Sequence, residues 1–481
     1  MQTRKPFLPL DHPLLKFSHD PLEWWTVRDA VRGLQIFGGI GSGKSSGSGK
    51  TVAKAFLKNG FGGVVLCAKP DERTNWEKIA KELGRSNDLI IFKEGSEYEF
   101  NPLQYEMTRE GKGAGEIFNL TNLFMEIYRM GNRFSGGGGS SEKERYWDNA
   151  LKRCINRIIQ LLQLANEEVS VNNMSNILAS APTQNEVKEM FNLHEDKIGE
   201  LSQSNYWLQC FLEAGAKEET AENIDTYRLV HNYFTREFAS LPENTRPTIV
   251  ESFQGLAEPF NSGILKKHFS GSISPEIRPE ETHQGKIIIL DFPVKEYLQA
   301  GVYAQGIYKY LWQQATERRD PNQDLLPVFL WVDESQLFLS DYDQIFQTTA
   351  RSSKACTVYI SQNISNYYVS IGGRFPQPKV DSLLGNLGTK IFHANNDSVT
   401  NEWAAKTIGK AFQNVTSVNV GKHSSSSSAQ QLHYQVEPRV FTTLKSGGQT
   451  NDLKVEGVVS IAGKKWSDGL NYRVISFKQN I

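Results

Sequence analysis

Polar and apolar positions change their period three times along the 481-residue chain. Near the start, LQIF (34–37) is a short apolar run that leads straight into GGIGSGKSSGSGKT (38–51). TVAKAFLK (51–58) has helical spacing, and Gly62-Gly63 breaks it before a second apolar run at 64–67. A third run lies at 89–92. Strand, helix, strand at this spacing predicts a βαβ unit and a parallel sheet. Residues 1 to about 30 are rich in Pro and Trp and aperiodic, and read as an ordered arm packed on the domain.

The middle of the chain has a different rhythm. FSGGGGSS (134–141) reads as a flexible loop. After it Trp147, Leu151, Ile155, Ile158 and Leu162 recur at three or four residues, the spacing of one helix face. Helical stretches with few strand signals continue to about 269, so an all-α insertion is expected over 104–271. Strand signals return at KIIILDF (286–292), followed by a helix around 302–318 and by VFLWV (328–332). Continuous apolar runs of this kind suit central parallel strands covered on both faces. Further core strands are expected at 357–361 and 390–393, and the five serines 424–428 read as a surface loop. The resulting division is 1–103 and 272–481 for two parts of one α/β domain, with 104–271 inserted between them.

Composition narrows the field without naming a function. Lys+Arg total 53 and Asp+Glu 54, so global charge does not announce a nucleic-acid binder. The four cysteines, Cys67, Cys154, Cys210 and Cys356, have no metal-site or disulfide spacing. A reducing cytosol is the simplest home. The N-terminus lacks the apolar core of a signal peptide, and no run of about 18 apolar residues suggests a membrane span.

Candidate chemistry begins in the glycine stretch. Gly38, Gly39, Ile40, Gly41, Ser42, Gly43, Lys44 and Ser45 satisfy the phosphate-loop pattern GxxxxGK[ST]. Its glycines let backbone N–H groups converge on phosphates, and the following helix adds its N-terminal dipole. These residues and Ser46 are the expected ATP contacts; Lys44 reaches the terminal phosphates and the Ser45 hydroxyl binds Mg²⁺. The second GSGK lacks the leading glycine, because that place is Lys44, and no strand feeds it. Its Gly47, Ser48 and Gly49 are read as a packing device, since each helical glycine costs about 1 kcal/mol. Lys50 is read as a solvated helix lysine.

FLWVDE (329–334) is an apolar strand ending in two carboxylates. Asp333 is expected to hold Mg²⁺ through water, and Glu334 to orient or deprotonate the attacking water. The bland alternative is a strand that happens to end in acidic residues. Gln362 ends a later strand, where it could sense the γ-phosphate, and Arg351 lies in a helical stretch from which it could act across a subunit boundary. From pattern alone both are equally readable as ordinary surface residues.

The ordered set of motifs resembles the soluble ATPase part of type IV secretion coupling proteins, the TraG/TraD-like conjugation ATPases of the wider FtsK/HerA group. GGIGSGKSSGSG, GFGGVVLCAKPDE (60–72), FNPL (100–103), YWDNALKR (146–153) and LPENTRPTIVESFQGLAEPF (241–260) carry the likeness, followed by VDESQLF, ARSSKACTVYISQN and LLGNLGTKIFHANND (383–397). It spans roughly 25–475. The resemblance implies a RecA-like P-loop NTPase domain, α/β with a mostly parallel central sheet, and an inserted all-α domain. It also implies ATP and Mg²⁺ as cofactors, Arg351 as a finger acting in trans, Gln362 as sensor, and a homohexameric ring with DNA in its channel. Relaxase or another secretion substrate and the type IV secretion channel are the implied partners. The family usually begins with transmembrane helices, which this chain lacks, so a separate membrane anchor protein or a cytosolic lineage is expected. HANND also stands where many relatives carry an arginine-containing version. Export through a secretion channel, a cytosolic DNA motor for packaging, processing or defence, and a nucleotide-gated scaffold are the competing functions. Glu334 and Arg351 weigh against the scaffold, which needs neither.

Overall fold

The computed structural model describes residues 8–17, 23–134, 142–217, 220–242, 244–373, 375–419 and 425–479. The glycine-rich stretch expected to be a flexible loop, 134–141, falls outside them except for its first residue. The chain separates into two compact units. The first comprises Met1–Ile91, Pro279–Lys295 and Trp312–Ile481, and the second Phe92–Arg278 and Glu296–Leu311.

Thirteen strands are formed by the described residues: β1 (Pro13–Lys16), β2 (Trp24–Thr26), β3 (Leu34–Phe37), β4 (Gly62–Leu66), β5 (Leu89–Lys93), β6 (Ile287–Asp291), β7 (Val328–Val332), β8 (Ala355–Ser361), β9 (Thr389–Phe392), β10 (Lys410–Asn419), β11 (Ser425–Tyr434), β12 (Lys454–Ile461) and β13 (Tyr472–Lys478). Nine make one sheet in the order β13-β12-β9-β3-β8-β7-β4-β6-β5. From β9 to β6 the neighbours run parallel, while β12 pairs antiparallel with both β9 and β13. The parallel strands β3, β4, β7, β8 and β9 are buried at every position, as two-sided cover requires.

The N-terminal stretch, expected to be an ordered arm packed on the domain, holds regular structure among its described residues, and one further expectation needs correction. β1 and β2 form an antiparallel pair and a short helix, Val27–Ala30, follows. Trp25 is 1% exposed and donates its indole N–H to Thr389 Oγ1, so the aromatic richness serves packing. The serines 425–428 are not a loop but part of β11, which pairs with β10 over ten registered positions. Alternation is invisible in a run of one residue type, so the strand left no periodic signal; Ser424 lies outside the described residues.

On one face of the large sheet the core is aromatic. Phe56 stacks on Phe329 with centroids 5.5 Å apart, Trp76 stacks on Phe329 at 5.4 Å, and Trp76 meets Trp331 edge-on at 5.3 Å. These rings seat the helices Lys50–Lys58 and Asp71–Glu82 on β7. Truncating a ring as buried as Phe329 costs about 3–5 kcal/mol.

The second unit is mainly helical, from Pro102–Thr108 to Gly263–Phe269. Its first helix shows what FNPL does locally. Asn101 caps the helix, its Oδ1 accepting from the N–H groups of Leu103 and Gln104, and Pro102 takes the first helical position, where no N–H is needed. Leu151, Ile155, Ile158 and Leu162 are buried, as their spacing predicted, while Trp147 at the start of that face is half-buried. Among the described residues no helix is long and apolar enough to cross a membrane.

Two histidines, His393 buried and His283 half-buried, make the first unit sensitive to acid. Burial, opposed by a bond to the Glu456 carbonyl and reinforced by the Lys44 charge, holds His393 down to about 4. Burial and the charges of Arg319 and Arg318 hold His283 down to about 3. In the unfolded chain both titrate near 6.5. Below that pH the unfolded chain gains protons that the folded chain refuses, so stability present above about 6.5 is lost progressively toward about 4 for His393 and about 3 for His283. Melting temperature is therefore expected to fall across this window, and less steeply in a His393→Gln variant. Equal slopes for the two proteins would remove His393 from this account.

Candidate functional site

The glycine loop begins where β3 ends, between β8 and β9. Phe37 stands opposite Ser361 on one side and Phe392 on the other. The Gly38 N–H donates to the Ser361 carbonyl and the Gly39 N–H to the Ala394 carbonyl, at 3.3 and 2.8 Å. Gly41 and Gly43 then take φ of +72° and +79°, a region that side chains strain to enter. Ile40 is 88% exposed at the turn. The Ser42 hydroxyl is buried beside the loop with no partner among the described residues. Gly41, Ser42, Gly43, Lys44, Ser45 and Ser46 line a cavity of about 320 Å³, together with Asp333 and Glu72.

The second GSGK is wound into the helix that follows. A wide π-type turn, Ser45–Gly49, precedes the α-helix Lys50–Lys58. Gly47, Ser48 and Gly49 are buried in it. A Cβ on Gly47 would lie 3.1 Å from Val455 Cβ, and one on Gly49 2.9 Å from the Lys44 carbonyl oxygen. Ser48 Oγ and His393 Nε2 are 2.6 Å apart, and His393 Nδ1 is 2.7 Å from the Glu456 carbonyl. A carbonyl only accepts, so Nδ1 carries the proton and Nε2 accepts from Ser48. Ser46 Oγ accepts from Gln479 Nε2 at 3.0 Å. Lys50 is less solvated than the sequence suggested. It is half-buried and lines the same cavity.

The acidic pair follows β7, which lies between β8 and β4 with Val332 opposite Leu66. Side chains alternate along a strand, so Asp333 shares the face of Phe329 and Trp331, where the loop helix sits. Ser45 Oγ donates to Asp333 Oδ2 at 2.7 Å. The Glu334 N–H donates to Asp333 Oδ1 at 2.9 Å, and Glu334 itself is left-handed, φ 49°. For a non-glycine residue this costs on the order of 1–3 kcal/mol and marks a place where tertiary structure dictates geometry. Lys69 donates to Glu334 Oε1 at 2.7 Å and Gln336 to Oε2 at 2.9 Å, while the Gln362 amide lies 3.4 Å from both oxygens. Burial pushes the Glu334 carboxyl up, but the bonds from Lys69 and Gln336 and the charges of Lys69 and Lys44 outweigh it and hold it below its usual range. Glu72 is pushed the other way, well up, by burial and by Asp333.

Lys44, Ser45, Asp333, Glu334 and Gln362 thus converge at one end of the parallel sheet. Arg351 does not join them. It is exposed in the turn before β8 starts at Ala355, whereas Gln362 follows the other end of that strand. Seven strand residues separate the two ends, roughly 23 Å at about 3.3 Å per residue. The residue missed by sequence reasoning is Lys69, with Gln336 and Glu72 behind it. A lysine three positions past a buried strand was the available signal, but it acquires meaning only once β4 is known to neighbour β7.

Two glycines test the packing of this loop separately. Gly47→Ala presses on Val455 and is expected to lower stability by about 1–3 kcal/mol, the usual cost of overpacking. Val455→Ala in the same chain should return part of that loss. A Cβ on Gly43 would lie 2.4 Å from Val455 Cγ2, and its φ of +79° is unsuitable whatever the space, so Val455→Ala should not rescue Gly43→Ala. Denaturant titration of the two double variants decides; equal rescue in both would contradict the backbone argument.

Comparison with known proteins bears on the fold and on one segment of the sequence. Residues 327–444 match the family model described as the TraM recognition site of TraD and TraG. Plasmid coupling protein TrwB in complex with the non-hydrolysable ATP analogue ADPNP superposes with a TM-score of 0.57 at 12% identity, covering 99% of this chain and 95% of that one. TrwB in complex with ADP and Mg²⁺ gives 0.54 at 12% identity, covering 95% and 88%. VirB4 of Thermoanaerobacter pseudethanolicus gives 0.52 at 13% identity, covering 98% and 96%. None of the curated proteins matches the chain in sequence. Identities this low establish a shared fold alone, while the match over 327–444 is one of sequence. The chain therefore has the fold of TrwB and VirB4, and its residues 327–444 resemble the TraM recognition site of TraD and TraG.

Proposed function

We propose that this chain is an ATP-hydrolysing DNA translocase that couples DNA, with a bound relaxase, to a type IV secretion channel. The observation that carries the reading is the 2.7 Å bond between Ser45 Oγ and Asp333 Oδ2, with Glu334 next in the chain. It joins the end of the glycine loop to the acidic pair in the arrangement that a metal-nucleotide needs. The orphaned Ser42 hydroxyl and the positive-φ glycines fit an anion cradle.

In this reading Gly38 to Ser46 wrap the phosphates and Lys44 places its ammonium on the terminal pair. Among the described residues no three His, Cys, Asp or Glu side chains gather as a metal site. Mg²⁺ would rest on the Ser45 hydroxyl, on Asp333 through water and on nucleotide oxygens; when bound, it supplies charge neutralisation at the phosphates. Glu334 orients the attacking water and takes its proton. Gln362, next to Glu334, reports on the terminal phosphate. Arg351, displaced to the far edge of the sheet, serves a neighbouring subunit, which makes a homohexameric ring part of the proposal. DNA contacts in such a ring grip phosphates without reading sequence. The match to the TraM recognition segment supports a relaxosome-type partner for 327–444.

ATP hydrolysis by the full chain, with and without single- or double-stranded DNA, tests this. Lys44→Ala and Glu334→Gln are expected to abolish turnover, and Lys50→Ala to keep most of it. Lack of stimulation by either DNA at ring-forming concentrations would sink the translocase; equal losses from Lys44→Ala and Lys50→Ala would misplace the loop.

A further inference from the structure

Glu334 is a poor proton acceptor as it stands. Its side chain is 8% exposed, so protein groups rather than water satisfy it. One oxygen is taken by the Lys69 ammonium and the other by the Gln336 amide. Bonds between full charges are the strongest of their kind, and a carboxylate that accepts one has its lone pairs committed. The pair is also built into the fold. Leu66 and Val332 are opposite each other in β4 and β7, so the chain leaving β4 must pass the chain leaving β7. Lys69 lies between β4 and the helix Asp71–Glu82, whose Asp71, Glu72 and Asn75 line the cavity. The left-handed backbone of Glu334 fixes the other half of the pair.

Lys69 has another anion to turn to. It is 28% exposed on a flexible four-carbon stem. Asp333 acts on it electrostatically. An anionic nucleotide in the cavity would add a further competitor for the ammonium.

We infer that Lys69 is a positioning residue that clamps Glu334, and that hydrolysis waits on the release of this ion pair. The inference rests on the proposed ATPase reading. It assigns basal turnover a ground-state penalty that lies in one named contact and acts through Glu334 alone.

The test uses the full chain with ATP and Mg²⁺ and no DNA. Lys69→Met keeps the apolar stem and removes the charge. Its kcat should rise about tenfold, the factor that one charge-assisted hydrogen bond lost from the ground state is worth. KM should change little. Lys69→Gln, which keeps a neutral donor, should give a smaller rise in the same direction. Binding of a fluorescent ATP analogue confirms that each variant retains its site. Combining Lys69→Met with Glu334→Gln should leave the chain as inactive as Glu334→Gln alone. Turnover of both single Lys69 variants at or below that of the wild type, with nucleotide binding intact, overturns the clamp while leaving the ATPase reading in place. A rise that survives Glu334→Gln overturns it as well, because Lys69 would then act elsewhere. Absence of turnover in the wild type and in both Lys69 variants overturns the ATPase reading and the clamp together.

Discussion

The parallel register of β3, β8, β7 and β4 is the constraint on which the candidate site depends. Parallel neighbours all finish at the same edge, so whatever follows each strand is delivered to one place. Phe37 is level with Ser361, Val332 with Tyr359 and Leu66 with Val332. The glycine loop, Gln362, the Asp333-Glu334 pair and Lys69 are the continuations of those four strands. They come together although the chain separates them widely, and the aromatic packing of Phe56, Trp76, Phe329 and Trp331 keeps the helices that carry Ser45 and Glu72 seated on that edge.

A second constraint is steric. The helix behind the loop approaches β12 so closely that Val455 leaves no room for a Cβ on Gly43 and little for one on Gly47. The doubled GSGK is thus one loop and one packing surface. The serine between the packing glycines is bonded through His393 to the Glu456 carbonyl, which ties the loop helix to β9 and β12. HANND has a local role in the same region. His393 supports the loop helix, and Asn395 Nδ2 donates to the Gln362 carbonyl at 2.8 Å.

Charge in the site is balanced within a small volume. Lys44 and Lys69 face Asp333, Glu334 and Glu72. Glu334 is held ionised and fully bonded, while Glu72, with one oxygen lacking a partner, is pushed toward its neutral form. Such opposite shifts between neighbouring carboxyls separate their roles even though both are buried.

Much of this was legible in the sequence because it is local. The strand LQIF, the loop after it, the strand VFLWV and its two carboxylates, and the helix face of Leu151, Ile155, Ile158 and Leu162 are patterns of near neighbours, and periodicity reports near neighbours directly. FNPL was legible as a motif, and the structure gives it a meaning as a capped helix start. What depends on which strands lie side by side was not legible. The pairing of β10 with β11 through a run of serines, the partner of Glu334, the contact that makes Gly43 and Gly47 necessary and the placement of Arg351 at the opposite edge all follow from long-range register. Periodicity along the chain marks the strands around the candidate site and the groups that follow them; which of those groups meet follows from strand order and direction, because these are set by packing over the whole chain.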